Sequence, residues 1–198
     1  MSYFANRTEA ESGAPLVLTF HGTGGDEYQF HGLGSELVPG AHVVSPRGDV
    51  DEGGHARFFR RTGEGVYDME DLSRRTDTMA QFIFAEKLRT SPSRVIGLGY
   101  SNGANILASL SFRHADLVDD LVLMHPLIPF DPDPQPLLAG HRVLITAGRR
   151  DPICPPDLTE TLSAYYAAHG AAVTTHWHDG GHEVARSELE AAQAFLSE

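Results

Sequence analysis

The sequence predicts an α/β sandwich, a mostly parallel sheet with helices on both faces. Three observations carry that prediction. Short apolar runs alternate with stretches of helical periodicity along the chain, which is the pattern of repeated strand–helix units. Several runs are continuous rather than alternating, as expected of strands buried on both faces. The third observation is the pentapeptide Gly99-Tyr100-Ser101-Asn102-Gly103, which joins the apolar run Val95-Ile96-Gly97-Leu98 to a segment of small and apolar residues.

Taken in order, the first strong strand is Leu16 to Phe20, followed by a helix over about Glu27 to Leu37. A second strand covers His42 to Ser45, and a long glycine- and arginine-containing loop runs from Pro46 to Tyr67. The next helix spans Asp68 to Arg89 and leads to the strand Arg94 to Gly99 and the helix Asn102 to Arg113. Strands then follow at Leu121 to Met124, Arg142 to Ala147 and Ala172 to Trp177. Helices at Asp157 to His169, with Asp157 as its cap, and at Ser187 to Leu196 complete the set; Leu158, Leu162, Tyr165, Tyr166 and His169 keep helical spacing. The proline-rich connection Pro126 to Pro136 is too short to hold a helical cap domain. A ligand site in such a sandwich lies at the carboxyl ends of the strands.

A chain of 198 residues with 41% hydrophobic and 21% charged residues fits a single domain, expected over residues 1–198. Its net charge of -12 disfavours nucleic acid and anionic membrane surfaces as partners. The polar start from Met1 to Ala14 does not read as a signal peptide, and a cytoplasmic location is expected. The single Cys154 offers neither a disulfide nor a metal-binding cluster. His176 and His178 stand two apart on a strand, so no metal is expected. A homodimer is the default expectation for a chain of this size.

The pentapeptide has the form of a serine nucleophile mounted on a sharp strand-to-helix turn, where the flanking glycines admit close packing. Chance alone can generate so short a motif, so the strand before it and the buried helix after it carry the inference. A serine hydroxyl needs a base, and the base needs an acid to fix its tautomer. Asp151 follows the strand Val143 to Ala147 through Gly148-Arg149-Arg150, and His182 follows Trp177 on the glycine-rich stretch Asp179-Gly180-Gly181. His178 is the runner-up base; Asp131, Asp133 and Asp157 are weaker candidates for the acid. An oxyanion needs about two amide donors, and the N–H groups of Asn102 and of Thr23, in the loop His21-Gly22-Thr23-Gly24-Gly25-Asp26, are the choices. His21 is read as a hydrogen-bonding residue that shapes this loop. The absence of a lysine after these glycines argues against a phosphate-binding turn.

With these features in hand, the chain resembles the phospholipase/carboxylesterase group of α/β hydrolases, which includes acyl-protein thioesterases. More narrowly, five blocks resemble small bacterial carboxylesterases associated with hydroquinone and catechol stress. They are Ser45-Pro46-Arg47-Gly48, Arg57-Phe58-Phe59-Arg60-Arg61, Asp68-Met69-Glu70-Asp71-Leu72, Gly99 to Asn105, and Asp151-Pro152-Ile153-Cys154. The resemblance implies an α/β-hydrolase fold, with Ser101 as nucleophile, Asp151 as orienting acid and His182 as base. It leaves Thr23 at a position that is commonly apolar.

Phe58, Phe59 and Tyr100 are expected to line an apolar acyl or aromatic pocket, with Arg57 or Arg60 at its rim. The alternative is that the phenylalanines belong to the core and the arginines pair with Glu64 or Asp68. His125, just after the strand ending at Met124, reaches the same edge, where it either contacts a leaving group or packs structurally. The expected activity is hydrolysis of small, short-acyl or aryl esters through an acyl-enzyme, with a small-molecule ester as substrate and no cofactor. A thioesterase and a non-catalytic small-molecule-binding protein are the rival readings.

Overall fold

The structure, a computed structural model, describes residues 3–197. Its first strand, β1 (Ala5–Thr8), is followed by β2 (Leu16–Phe20), α1 (His31–Leu37) and β3 (His42–Pro46). The loop after β3 folds into two small hairpins, β4 (Val50–Glu52) with β5 (His55–Arg57), and β6 (Arg61–Gly63) with β7 (Val66–Tyr67). Then come α2 (Met69–Thr90), β8 (Val95–Tyr100), α3 (Asn102–Arg113), β9 (Asp120–Met124), β10 (Arg142–Gly148), α4 (Pro156–Ala168), β11 (Ala172–His178) and α5 (Arg186–Leu196).

Seven strands form one sheet in the order β1-β3-β2-β8-β9-β10-β11, parallel throughout except for β1, which runs antiparallel to β3 with Ala5 opposite Pro46. Alternate residues of each strand enter opposite layers, as the period of two requires. Leu16, Leu18, Val95, Leu121, Leu123, Val143 and Ile145 pack with α2, α3 and α4. Val17, Val43, Ile96, Leu98, Val122 and Leu144 meet α1 and α5. Full burial of each such side chain is worth about 1.5–3 kcal/mol, so the sheet is held from both sides.

Two expected boundaries move for physical reasons. The first helix begins at His31 rather than Glu27. Buried Glu27 pairs with Arg47, Tyr28 N donates to Asp26 Oδ1, and Gln29 Oε1 accepts from Gly22 N, so this stretch folds as turns that brace the His21–Asp26 loop. α4 starts at Pro156, leaving Asp157 inside the first turn and not at the cap. By contrast, Asp68 caps α2 by accepting from Asp71 N at 3.0 Å. The connection between β9 and β10 contains only a short 3-10 turn at Pro136–Leu138, with no helical cap domain among the described residues. No helix among them is long and apolar enough to cross a membrane.

Candidate active site

Parallel strands deliver their following residues to one edge, and here Ser101 follows β8, His125 follows β9, Asp151 lies just past β10 and His182 just past β11. Ser101 has φ 51° and ψ -118°, a strained conformation for a non-glycine residue. It is pinned by its own N–H donating to Met124 O (2.9 Å) and its C=O accepting from Asn105 N (2.9 Å). The glycines of the pentapeptide serve close approach. A Cβ on Gly99 would meet Gly103 O at 2.6 Å and Ala104 N at 2.7 Å, and one on Gly103 would strike the backbone of Phe20 and His21.

Ser101 Oγ lies 2.9 Å from His182 Nε2, and His182 Nδ1 lies 2.7 Å from Asp151 Oδ2. Because the carboxylate accepts from Nδ1, the Nε2 lone pair faces the hydroxyl. Asp151 Oδ1 accepts from the amides of Ile153 (2.8 Å) and Cys154 (3.0 Å). Burial alone would raise the Asp151 carboxyl, but the Cys154 amide, His182, His125 and the Ile153 amide outweigh it and hold the group below its ordinary value. The arrangement can draw the proton from a serine hydroxyl and stabilise the resulting imidazolium.

Tyr100 carries its ring alongside His182 and donates its hydroxyl to His182 O at 2.7 Å, which fixes the loop that bears the imidazole. Burial, then Asp151, pushes the Tyr100 phenol up to about 12, so it stays a neutral donor. The Cys154 thiol is raised by burial and donates to His125 O at 3.2 Å.

Ser101 opens into a cleft of about 310 Å³. Thr23 and Asn102 line it, and among the described residues neither amide N–H is paired with a protein acceptor. The loop carrying Thr23 is shaped by His21, whose Nδ1 donates to Gly22 O (2.7 Å) and whose Nε2 accepts from Gly48 N (2.9 Å). Burial lowers the His21 pKa, in keeping with this neutral tautomer. Buried Arg57 donates to Thr23 Oγ1 at 2.7 Å and lines the cleft, giving the threonine a tether that an apolar residue would lack.

The expected aromatic wall is corrected. Phe58 and Phe59 are fully buried and do not reach the cleft: Phe58 packs on Phe20 and His21, and Phe59 on Tyr67. The Phe58 N–H instead donates to Asn102 Oδ1 at 2.7 Å, tying the hairpin segment to the turn. Tyr100 does line the cleft, together with Tyr67, Leu127 and Ile153, while Arg61 and Glu64 stand at the side formed by the hairpins. Arg60 lies outside it, and Arg57 faces Glu52, not Glu64 or Asp68.

Of the two readings of His125, contact with a leaving group does not hold, since it lies outside the cleft. It is wholly buried behind Asp151, with Nδ1 2.8 Å from Asp151 Oδ2 and Nε2 3.0 Å from Glu188 Oε1. His178, the alternative base, points to the same carboxylate, Nε2 lying 3.3 Å from Glu188 Oε2. Two sets of donor atoms, on His125, Asp151 and His182 and on His125, His178 and Glu188, each lie within 4.8 Å of one another. Pairing of imidazole with carboxylate accounts for that closeness. Sequence reading missed Glu188 altogether. Its signal was periodicity, since Glu188 falls on the buried stripe of α5 with Ala192, Phe195 and Leu196.

Comparison with known proteins adds the family. Residues 52–194 match the dienelactone hydrolase family. The chain belongs to that family. Within it, the chain is 42% identical over 185 residues to MhqD of Bacillus subtilis (strain 168), covering 92% of each protein. It is similar to the Bacillus cereus carboxylesterase, with a TM-score of 0.93 and 36% identity over 98% of this chain and 93% of that one. The Agrobacterium tumefaciens protein Atu2452 superposes with a TM-score of 0.94 at 53% identity, covering 98% of this chain and 96% of that one. This member of the dienelactone hydrolase family has the α/β-hydrolase fold and is a hydrolase of the carboxylesterase type.

Proposed function

We propose that the protein is a serine carboxylesterase acting on small, short-acyl or aryl esters. The observation that carries this reading is the unbroken run of short contacts from Ser101 Oγ through His182 to Asp151, opening into a cleft. In the proposed reaction His182 takes the Ser101 proton as Oγ attacks the ester carbonyl, and Asp151 stabilises the imidazolium. The amides of Thr23 and Asn102 receive the oxyanion, each worth on the order of 3 kcal/mol in the barrier. His182 then gives its proton to the leaving alcohol, and a water activated by the same imidazole hydrolyses the acyl-enzyme.

The dimensions of the cleft support small substrates. A volume of about 310 Å³ stands at the lower end of ligand pockets, which run to about 1,000 Å³. Its wall mixes Leu127, Ile153 and Tyr67 with Arg57, Arg61 and Glu64, a lining ill suited to a long alkyl chain. The test is hydrolysis of para-nitrophenyl esters from acetate to decanoate by the wild type and Ser101→Ala, with folding followed by circular dichroism. The expected result is turnover weighted to the short esters and a loss of at least about 10³-fold in the variant. A folded Ser101→Ala protein with wild-type turnover would refute the assignment. Matched thioesters in the same series measure the preference between oxygen and sulfur leaving groups.

A further inference from the structure

Behind the acid of the proposed triad lies a second layer of charge that the reaction described above does not use. His125, Glu188 and Asp151 have side chains with no solvent exposure, and His125 adopts φ 50°, a left-handed conformation uncommon outside glycine. Buried ionisable groups in so small a space are costly unless they neutralise one another. Their hydrogen-bonding roles can be assigned one by one. Asp151 Oδ2 accepts from both His182 Nδ1 and His125 Nδ1, at 2.7 and 2.8 Å. On the far side of the His125 ring, Nε2 faces Glu188 Oε1 at 3.0 Å, off the axis of an aligned hydrogen bond.

Glu188 is itself fully engaged. Oε1 accepts from Thr146 Oγ1 and Oε2 from Ala185 N, both at 2.5 Å. A carboxylate that already accepts at both oxygens is poorly placed to carry a proton of its own. With Nδ1–H given to Asp151, a neutral His125 would turn its Nε2 lone pair toward an anionic oxygen, which repels. The arrangement is relieved when Nε2 is protonated as well.

We propose that His125 is a positioning residue held as an imidazolium between Asp151 and Glu188, and that its charge moderates the pull of Asp151 on the base His182. This rests on the triad reading above. Groups facing His125 come from every neighbouring element. They are Asp151 and Cys154 after β10, Glu188 on α5, His178 at the end of β11, His182 beyond it and the Tyr100 ring at the end of β8. Burial opposes the charged ring, yet Glu188 and Asp151 together raise the His125 pKa, while His125, Thr146 and Ala185 hold Glu188 low against its own burial. The His125 and His182 rings lie 5.2 Å apart, close enough for one charge to act strongly on the other in a buried site.

The sign of the effect follows. His182 must be neutral to act as a base, so the acid limb of kcat/KM records its protonation. Removing the neighbouring cation leaves Asp151 less offset, makes that protonation easier and moves the limb to higher pH. Asparagine tolerates the left-handed backbone and can still offer an N–H to Asp151, so His125→Asn removes the charge while preserving the hydrogen bond.

Two measurements test the proposal. In wild-type protein, ¹⁵N-histidine NMR should show a ring with both nitrogens protonated at pH 7 that is assigned to His125 by its absence from His125→Asn, and this signal should be lost in Glu188→Gln. In ester hydrolysis, His125→Asn should move the acid limb upward by about one pH unit, with KM within about twofold. A neutral His125 in the wild type, or a folded His125→Asn enzyme whose limb has not moved, overturns the proposal. If His125→Asn does not fold, the wild-type spectrum decides. Failure of the triad reading has a separate mark, retained turnover in Ser101→Ala, which leaves the NMR result standing.

Discussion

Gly148 closes β10 directly beneath the loop that carries His182. It has an ordinary φ, so alanine there is resisted by contact alone and not by backbone conformation. A Cβ at this position would strike Gly181 O and would meet Gly180 O at 2.7 Å, both backbone atoms that cannot rotate away. Restoring the 3.0 Å spacing that real Cβ contacts respect displaces the 180–181 backbone by about 1 Å. The loop has little room for this, because Arg149 N donates to His178 O at 2.8 Å and Arg150 N to Gly180 O at 2.9 Å. His182, the proposed base, is the next residue, and a 1 Å misplacement of a catalytic group costs on the order of 10²-fold. Gly148→Ala is therefore expected to lower kcat/KM for para-nitrophenyl acetate by about 10²-fold, with an overpacking cost of about 1–3 kcal/mol in urea denaturation. Gly32→Ala, on the exposed face of α1 where nothing stands within 4 Å, is the control with unchanged turnover. A Gly148→Ala enzyme with wild-type kcat/KM and stability would show that the loop does not depend on this contact.

Two further outcomes are expected. Phe58→Ala should destabilise the protein by about 3–5 kcal/mol in chemical denaturation without moving the ester chain-length optimum, since Phe58 is core; a shifted optimum would return it to the pocket wall. Asp151 and Glu188 both titrate below their ordinary values, so their contribution to stability is full above the unfolded carboxylate range near about 4 and is lost as pH falls through the lower folded values. Melting temperatures measured from pH 7 to 2 should hold to about pH 5 and then fall, and replacing Glu188 by Gln should flatten that fall; an equally steep fall in the variant would refute a contribution from Glu188.

The order of the main strands and helices was legible because the central strands are continuous apolar runs and the helices keep their own period. Ser101, Asp151 and His182 could be picked out because each follows a strand whose end is marked by glycine, which local sequence records. What lay beyond reach depends on tertiary placement. Phe58 and Phe59 have the same composition whether they face a cleft or the core, and only the packing on Phe20 and Tyr67 distinguishes the two. The strand β1 is polar, with two of its four residues exposed, and the hairpin strands are two or three residues long, so neither carries a periodic signal. The tether from Arg57 to Thr23 joins residues 34 apart, and the approach of His125 to Glu188 spans two elements whose adjacency only the assembled sheet creates.

The position of Glu188 in α5 ties the docking of one helix to the proposed chemistry. Every strand of the sheet precedes it, so the sheet that brings Ser101, Asp151 and His182 to one edge can form before α5 docks. Until that helix docks, His125 faces Asp151 with no counter-anion behind it, and Thr146 has no carboxylate to receive its hydroxyl. A helix about 85 residues beyond Ser101 in sequence thus sets the electrostatic surroundings of Asp151 and His125, and a sheet formed before α5 docks would hold the proposed triad without them.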